Sequence, residues 1–303
     1  MKVKNIMSPK RMVKVKTIVE KKRDSPKGEA AQAPLLQYQG GPLLSNVEIM
    51  VIYWGSAWAS DPLQPELDKF FGFAVGSSIV GNLSEYSAPG FSIGPGKIMP
   101  SQIIPTDPPN PVDDTQIQSF LQGLIDSGTI NPNANSLYFV FTPSGVTVTL
   151  QGFSSCQDFC GYHNFFSATD GRAVIYAAMP YPDCAGCQFA STTFDSLTTI
   201  ASHELSESIT DPQLNAWYDP NTGEEIGDIC AGNTKVITTA KPGATPAATY
   251  NVTVSPSSVV LDGSSPAALT VNLTPAGSSG GGGGTGGPYT VQTEWSNAQG
   301  ACV

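Results

Sequence analysis

The chain has 303 residues, of which 40% are apolar and 13% charged, with a formal net charge of −10. That length suits one large domain or two small ones, and a composition rich in Gly, Pro, Ser and Thr argues for a strand- and loop-rich protein over a helical bundle. Ten of the 15 Lys and Arg residues fall within the first 27 positions, leaving 5 basic against 23 acidic residues beyond them, a net of −18 that excludes a basic nucleic-acid face on the body.

Residues 1–34 read as a basic, disordered tail. A basic start is present, but Lys14 and Lys16 interrupt the stretch Val13 to Val19, so no standard secretory leader is visible. No run of 18 apolar residues occurs, so no transmembrane segment is expected. Val47 to Trp54 is rich in β-branched and aromatic residues and reads as a buried strand. Pro65 to Tyr86 opens a helix whose later part is weakened by Gly72, Gly76 and Gly81. Asp113 and Asp114 predict an N-cap for a second helix through Ile125. Leu137 to Phe141, Val146 to Leu150 and Arg172 to Met179 read as strands. Thr192 to Ile209 repeats apolar residues every three and four positions and predicts a helix, stopped by Pro212. From 233 to 287 the chain reads as a small β insertion followed by a Gly-rich linker.

Six cysteines point to an oxidising compartment. Local spacing favours Cys156–Cys160 and Cys184–Cys187, which leaves Cys230–Cys302; a four-cysteine zinc site built from the first four is the rival.

The chemistry concentrates in His203-Glu204-Leu205-Ser206-Glu207. On a helix, residues four apart share a face, so His203 and Glu207 can ligate one metal ion. Glu204, at the next position, matches the general base that acts on metal-bound water in the HExxH peptidase helix, here with glutamate in place of the second histidine. A third ligand is expected downstream, where Asp228 is preferred, Glu225 is next, and Asp211 before Pro212 reads as a turn residue. Zn2+ is the expected cofactor, though one imidazole and two carboxylates also suit other divalent metals, and Asp219 heads a turn that could hold Ca2+. His163 is either a structural histidine beside a disulfide or a catalytic helper that stabilises an oxyanion.

Several segments in order along the chain carry a family resemblance. Tyr38-Gln39-Gly40-Gly41-Pro42, Tyr53-Trp54-Gly55, Cys160-Gly161-Tyr162-His163, Thr210-Asp211-Pro212, Asn215-Ala216-Trp217-Tyr218 and the stretch from Trp295 to Cys302 resemble the phosphate-induced protein 1 family, that of the plant EXORDIUM proteins, which also has bacterial members. The resemblance covers about residues 36–232 and 288–303 and implies an extracellular, cell-wall-associated protein.

The resulting expectation is an α+β protein with a zincin-like mixed sheet, an active-site helix and a disulfide-bounded C-terminal part. Its core would span residues 35–232 plus 288–303. The expected function is a secreted, monomeric, metal-dependent peptidase acting on a peptide or cell-wall substrate. Its catalytic residues would be Glu204 and His163, and its ligands His203, Glu207 and Asp228. The alternatives are a non-catalytic extracellular EXORDIUM-like protein and a carbohydrate-binding surface protein.

Overall fold

A computed structural model describes residues 36–231 in full and, outside them, the short strands Val13–Lys14, Thr234–Ile237, Tyr250–Ser255, Thr270–Pro275 and Tyr289–Gln292. The architecture is mixed α+β. The principal elements in chain order are β1 (Glu48–Trp54), α1 (Leu63–Ala74), β2 (Gln102–Ile104), α2 (Asp114–Asp126), β3 (Ser136–Phe141), β4 (Phe159–Ser167), β5 (Ala173–Met179), α3 (Thr193–Thr210) and the single turn α4 (Ile226–Ile229).

The main sheet runs β4-β5-β3-β1-β2, with Lys97–Ile98 also beside β1 and Val13–Lys14 beside β4. Strands β5, β3, β1 and β2 are parallel, whereas β4 pairs antiparallel with β5. Alternation along the strands divides the core into two layers. Ile49, Val51 and Tyr53 of β1 join α1 and α3 on one side, while Ile52 and Trp54 join α2 on the other. Phe71 of α1 meets Phe139 of β3 at 4.5 Å in the first layer, and Trp54 stacks on Phe120 of α2 at 3.9 Å in the second. The same period-two rule governs β4, where Tyr162 packs in the α2 layer and His163 points to the α3 layer.

The expected helices and strands are present with small shifts of boundary, except that the first helix stops at Ala74, and Ser78–Gly81 and a 3-10 turn at Asn82–Tyr86 follow. Asp113 caps α2 in a capping box with Gln116. Sequence patterning misses the short β2 and α4 and one long element, β4, where Cys160, Gly161, His163 and Asn164 obscure the alternation.

The cysteine pairing differs from the local-spacing expectation. The bridges are Cys156–Cys184 and Cys160–Cys187. Antiparallel pairing of β4 with β5 sets the start of β4 beside the loop after β5, so Cys156 before β4 and Cys160 at its start each bridge to that loop. These sulfurs are therefore not free for a four-cysteine zinc site. Bridges that close loops of this length also restrict the unfolded chain far more than CxxxC or CxxC closures would. Cys230 is disulfide-bonded too, and its expected partner Cys302 lies outside the described residues.

The tail of residues 1–34 and the insertion 233–287 also fall outside them, except for the short strands named above. Tyr250–Ser255 pairs antiparallel with Thr270–Pro275, and Thr234–Ile237 pairs with Tyr289–Gln292. Among the described residues no helix is long and apolar enough to cross a membrane.

Candidate metal centre

Helix α3 is buried on every side from Ser196 to Thr210. Its N-terminus is capped by Thr192, whose hydroxyl accepts from the Asp195 N–H at 3.0 Å. A buried helix with this many polar side chains must satisfy them internally. Most of the hydroxyls do so by bonding back to carbonyls one turn earlier: Ser202 to Thr199, Ser206 to Ser202 and Thr210 to Ser206, at 2.9–3.0 Å. His203, Glu204 and Glu207 are too long for that device and project toward neighbouring elements.

Three segments converge on them. Strand β4 supplies His163, α3 supplies His203, Glu204 and Glu207, and the segment around α4 supplies Glu225 and Asp228. His203, Glu207 and Asp228, the expected ligand set, place one ligand atom each within 4.8 Å of one another. His203 Nε2 lies 3.0 Å from Glu207 Oε1 and 4.0 Å from Asp228 Oδ1. Ligands about 2.0–2.2 Å from a tetrahedral zinc ion stand roughly 3.3–3.6 Å apart, so these spacings bracket the requirement. Asp228 is held by its other oxygen, Oδ2, which accepts the Glu225 N–H at 3.2 Å.

His163 and Glu204, expected as catalytic residues, lie in the same cluster. His163 Nδ1 is 3.5 Å from Glu204 Oε2 and 3.6 Å from Glu207 Oε2. Glu225 is not in the His203 set; its Oε1 sits 3.7 Å from His163 Nε2. Asp211 acts as a turn residue: its Oδ1 accepts the Asn215 and Ala216 N–H groups, and its backbone carbonyl lies 3.2 Å from His163 Nε2. Asp219 likewise organises a turn, its Oδ1 accepting from the Asn221 backbone N–H at 2.8 Å and its Oδ2 from the Thr222 hydroxyl.

Two glycines that sequence reasoning passed over make the convergence possible. A Cβ on Gly227 would stand 2.8 Å from the His203 ring and 2.9 Å from Glu207 Oε1. A Cβ on Gly161 would stand 2.6 Å from Ile200 and 3.3 Å from Glu204 Oε1. Their available signal was position, since each adjoins chemistry-bearing residues in Cys160-Gly161-Tyr162-His163 and Gly227-Asp228.

The electrostatics of the cluster call for positive charge. Burial would lower the His163 pKa, but the Glu225, Glu204 and Glu207 carboxylates outweigh it and raise it well above the ordinary value. Burial likewise opposes protonation of His203, yet Glu207 holds it up at about 10. Glu207, despite burial, is pulled down to about 2 by the two histidines. Asp228 is pushed up to about 8 by burial and by Glu207, and burial also raises Glu204. Protons on the imidazoles thus do what a bound cation would do. Both Glu204 carboxylate oxygens, Glu207 Oε1 and His163 Nδ1 are buried with no hydrogen-bond partner among the described residues. Such orphans cost free energy unless a water or a cation fills the space between them. The donor types, the orphaned atoms and the clearance left by Gly227 together fit a divalent metal.

Two known proteins are similar to this chain. Protein EXORDIUM-like 5 of Arabidopsis thaliana is 31% identical over a match covering 32% of this chain and 33% of that protein. Protein EXORDIUM-like 3 of Arabidopsis thaliana is 30% identical, over 38% of this chain and 42% of its own length. The matches thus span less than half the length of these relatives. No family model and no solved structure matches the chain.

Proposed function

We propose that this chain, a member of the EXORDIUM-like, phosphate-induced family, is a non-catalytic extracellular protein whose fold is locked by a divalent metal at His203, Glu207 and Asp228. One observation carries the reading: the ligand atoms are enclosed. The side chains of His203 and Glu207 are 2–3% exposed and that of Asp228 13%, and Gly227 packs directly against the first two. A metal sealed from solvent offers a substrate no approach, whereas a catalytic metal must keep a coordination position that substrate can reach. The two disulfides support an oxidising, extracellular setting.

A bound cation there would supply charge neutralisation and, given an open coordination position, Lewis-acid activation of water. This chain's own residues do the rest. His203 and Glu207 fix the metal to α3, and Asp228, braced by the Glu225 N–H, ties α4 to that helix. The centre would couple the sheet-facing helix to the segment leading into disulfide-bonded Cys230.

A second reading, a zincin-like peptidase, is favoured by the position of Glu204 beside His203 in the cluster, where it could serve as general base. Metal content and hydrolysis of unfolded peptides, measured on the purified full chain and on Glu204→Gln, separate the two. The structural reading expects about one or more divalent ions per chain, chelator-sensitive stability and no hydrolysis. Hydrolysis lost in Glu204→Gln with the metal retained would replace it with the peptidase reading. The carbohydrate-binding alternative rests on the strands of 235–285, whose side chains lie outside the described residues.

A further inference from the structure

We infer that the centre is dinuclear, with Glu207 bridging a second divalent cation held by His163 and Glu204. The inference builds on the proposed His203 site and goes beyond it. The two oxygens of Glu207 face different histidines: Oε1 lies 3.0 Å from His203 Nε2, and Oε2 lies 3.6 Å from His163 Nδ1. A carboxylate placed between two nitrogen donors in this way is a bridging ligand, of the kind that holds paired ions roughly 3.5–4 Å apart. The second set, His163, Glu204 and Glu207, likewise places its ligand atoms within 4.8 Å of one another.

An independent observation comes from the tautomer of His163. Its Nε2 is 3.2 Å from the Asp211 carbonyl oxygen, which can only accept, so Nε2 carries hydrogen. In the neutral ring Nδ1 is then a bare lone pair. It is fully buried, has no hydrogen-bond partner among the described residues, and is aimed at the Glu204 and Glu207 carboxylates. The facing carboxylates need positive charge at that nitrogen, supplied by a second ring proton in the metal-free chain or by a cation that takes its place. A ring N–H given to a backbone carbonyl while the opposite nitrogen is left open is how proteins orient a metal-binding histidine.

Charge balance points the same way. Four carboxylates, Glu204, Glu207, Glu225 and Asp228, surround the two histidines. With one dication at the His203 set and His163 protonated, one negative charge remains in the buried space, whereas a second dication in place of the His163 proton leaves none. A donor set with one imidazole per ion and otherwise carboxylate oxygens suits Mn2+ as well as Zn2+.

The test is metal titration of the chelator-stripped full-length chain with Mn2+ and, separately, Zn2+. Stoichiometry is read by equilibrium dialysis and Mn2+ coupling by electron paramagnetic resonance. The expected result is two ions per chain and a spin-coupled Mn2+ pair in the unaltered protein. His163→Gln should bind one ion with an uncoupled spectrum, and Glu207→Gln should lose the coupled pair. One uncoupled ion per chain, retained in His163→Gln and lost in His203→Gln, would overturn the inference while leaving the single-metal reading intact. No bound ion in the unaltered protein would overturn both. The coupled spectrum is read on the unaltered chain, so the inference remains testable if a variant fails to fold.

Discussion

Two buried carboxylate clusters sit on opposite faces of β4, one residue apart in origin, and the protein treats them in opposite ways. On the α2 face Asp114 is fully served by protein donors. Tyr162 and Tyr176 donate to its Oδ1 at 2.7 and 2.5 Å, and Gln118 and Asn164 donate to its Oδ2 at 2.8 and 3.1 Å. On the α3 face Glu204 and Glu207 have histidines nearby, but three of their four oxygens lack a hydrogen-bond partner among the described residues. A buried carboxylate with four donors needs nothing more, whereas one left among other carboxylates needs a cation. Tyr162 and Asn164 serve the first cluster while His163 between them serves the second, because successive strand residues point to opposite faces.

The contrast yields a graded set of expectations. Asp114→Ala leaves the buried Tyr162 and Tyr176 hydroxyls without their acceptor, and at ~1–3 kcal/mol for each buried group left unpaired the loss should reach about 2–6 kcal/mol. Urea denaturation checks this, and the loss should be the same with or without chelator, because no metal enters the Asp114 hub. Chelation of the unaltered chain should remove ~3 kcal/mol where free metal stands near a hundredfold over its dissociation constant. His203→Gln should reduce that chelator effect. An unfolding midpoint that chelator leaves unmoved would mean that protons alone hold the His203 centre together.

Gly227→Ala should cost about 1–3 kcal/mol by forcing a methyl group against the His203 ring, and it should weaken metal uptake. The matched change on the other side of the sheet, Gly123→Ala in α2, meets open space and should stabilise the helix by up to ~1 kcal/mol. Parallel thermal melts of the two variants compare the crowding of the two clusters directly.

The smallest effect concerns pH. Burial outweighs the tyrosine hydrogen bonds and raises the Asp114 pKa in the folded chain. The folded state therefore holds this proton more tightly than the unfolded state. Its stabilising contribution is present below the unfolded value and fades as pH rises through the folded one. Unaltered protein should gain on Asp114→Asn as pH is lowered toward 4 in chelator-containing buffer. A difference that stays flat with pH would mean that the hydrogen bonds cancel the effect of burial.

Much of the framework was legible in the chain itself. β1, β3 and β5 announce themselves through Val, Ile, Phe and Tyr runs, and α2 through Asp113 and Asp114, because these signals are local. The helical spacing of His203 and Glu207 was equally readable. Strand β4 was hidden by its own functional residues. The cysteine pairing was not legible, because local spacing favours neighbours in sequence while the true partners meet only once β4 and β5 pair.

The sequence by itself determined which residue types could bind a metal, that two of them share one helical turn, and that the chain carries paired cysteines. These are matters of covalent order and helical period. Only the tertiary structure decided that Asp228, rather than Glu225 or Asp211, meets His203. It also decided that His163 faces Glu204 and Glu207 rather than Asp114, and that Gly161 and Gly227 clear the space between. Those outcomes depend on how β4, α3 and α4 pack, and no spacing along a chain encodes the distance between elements that meet only after folding.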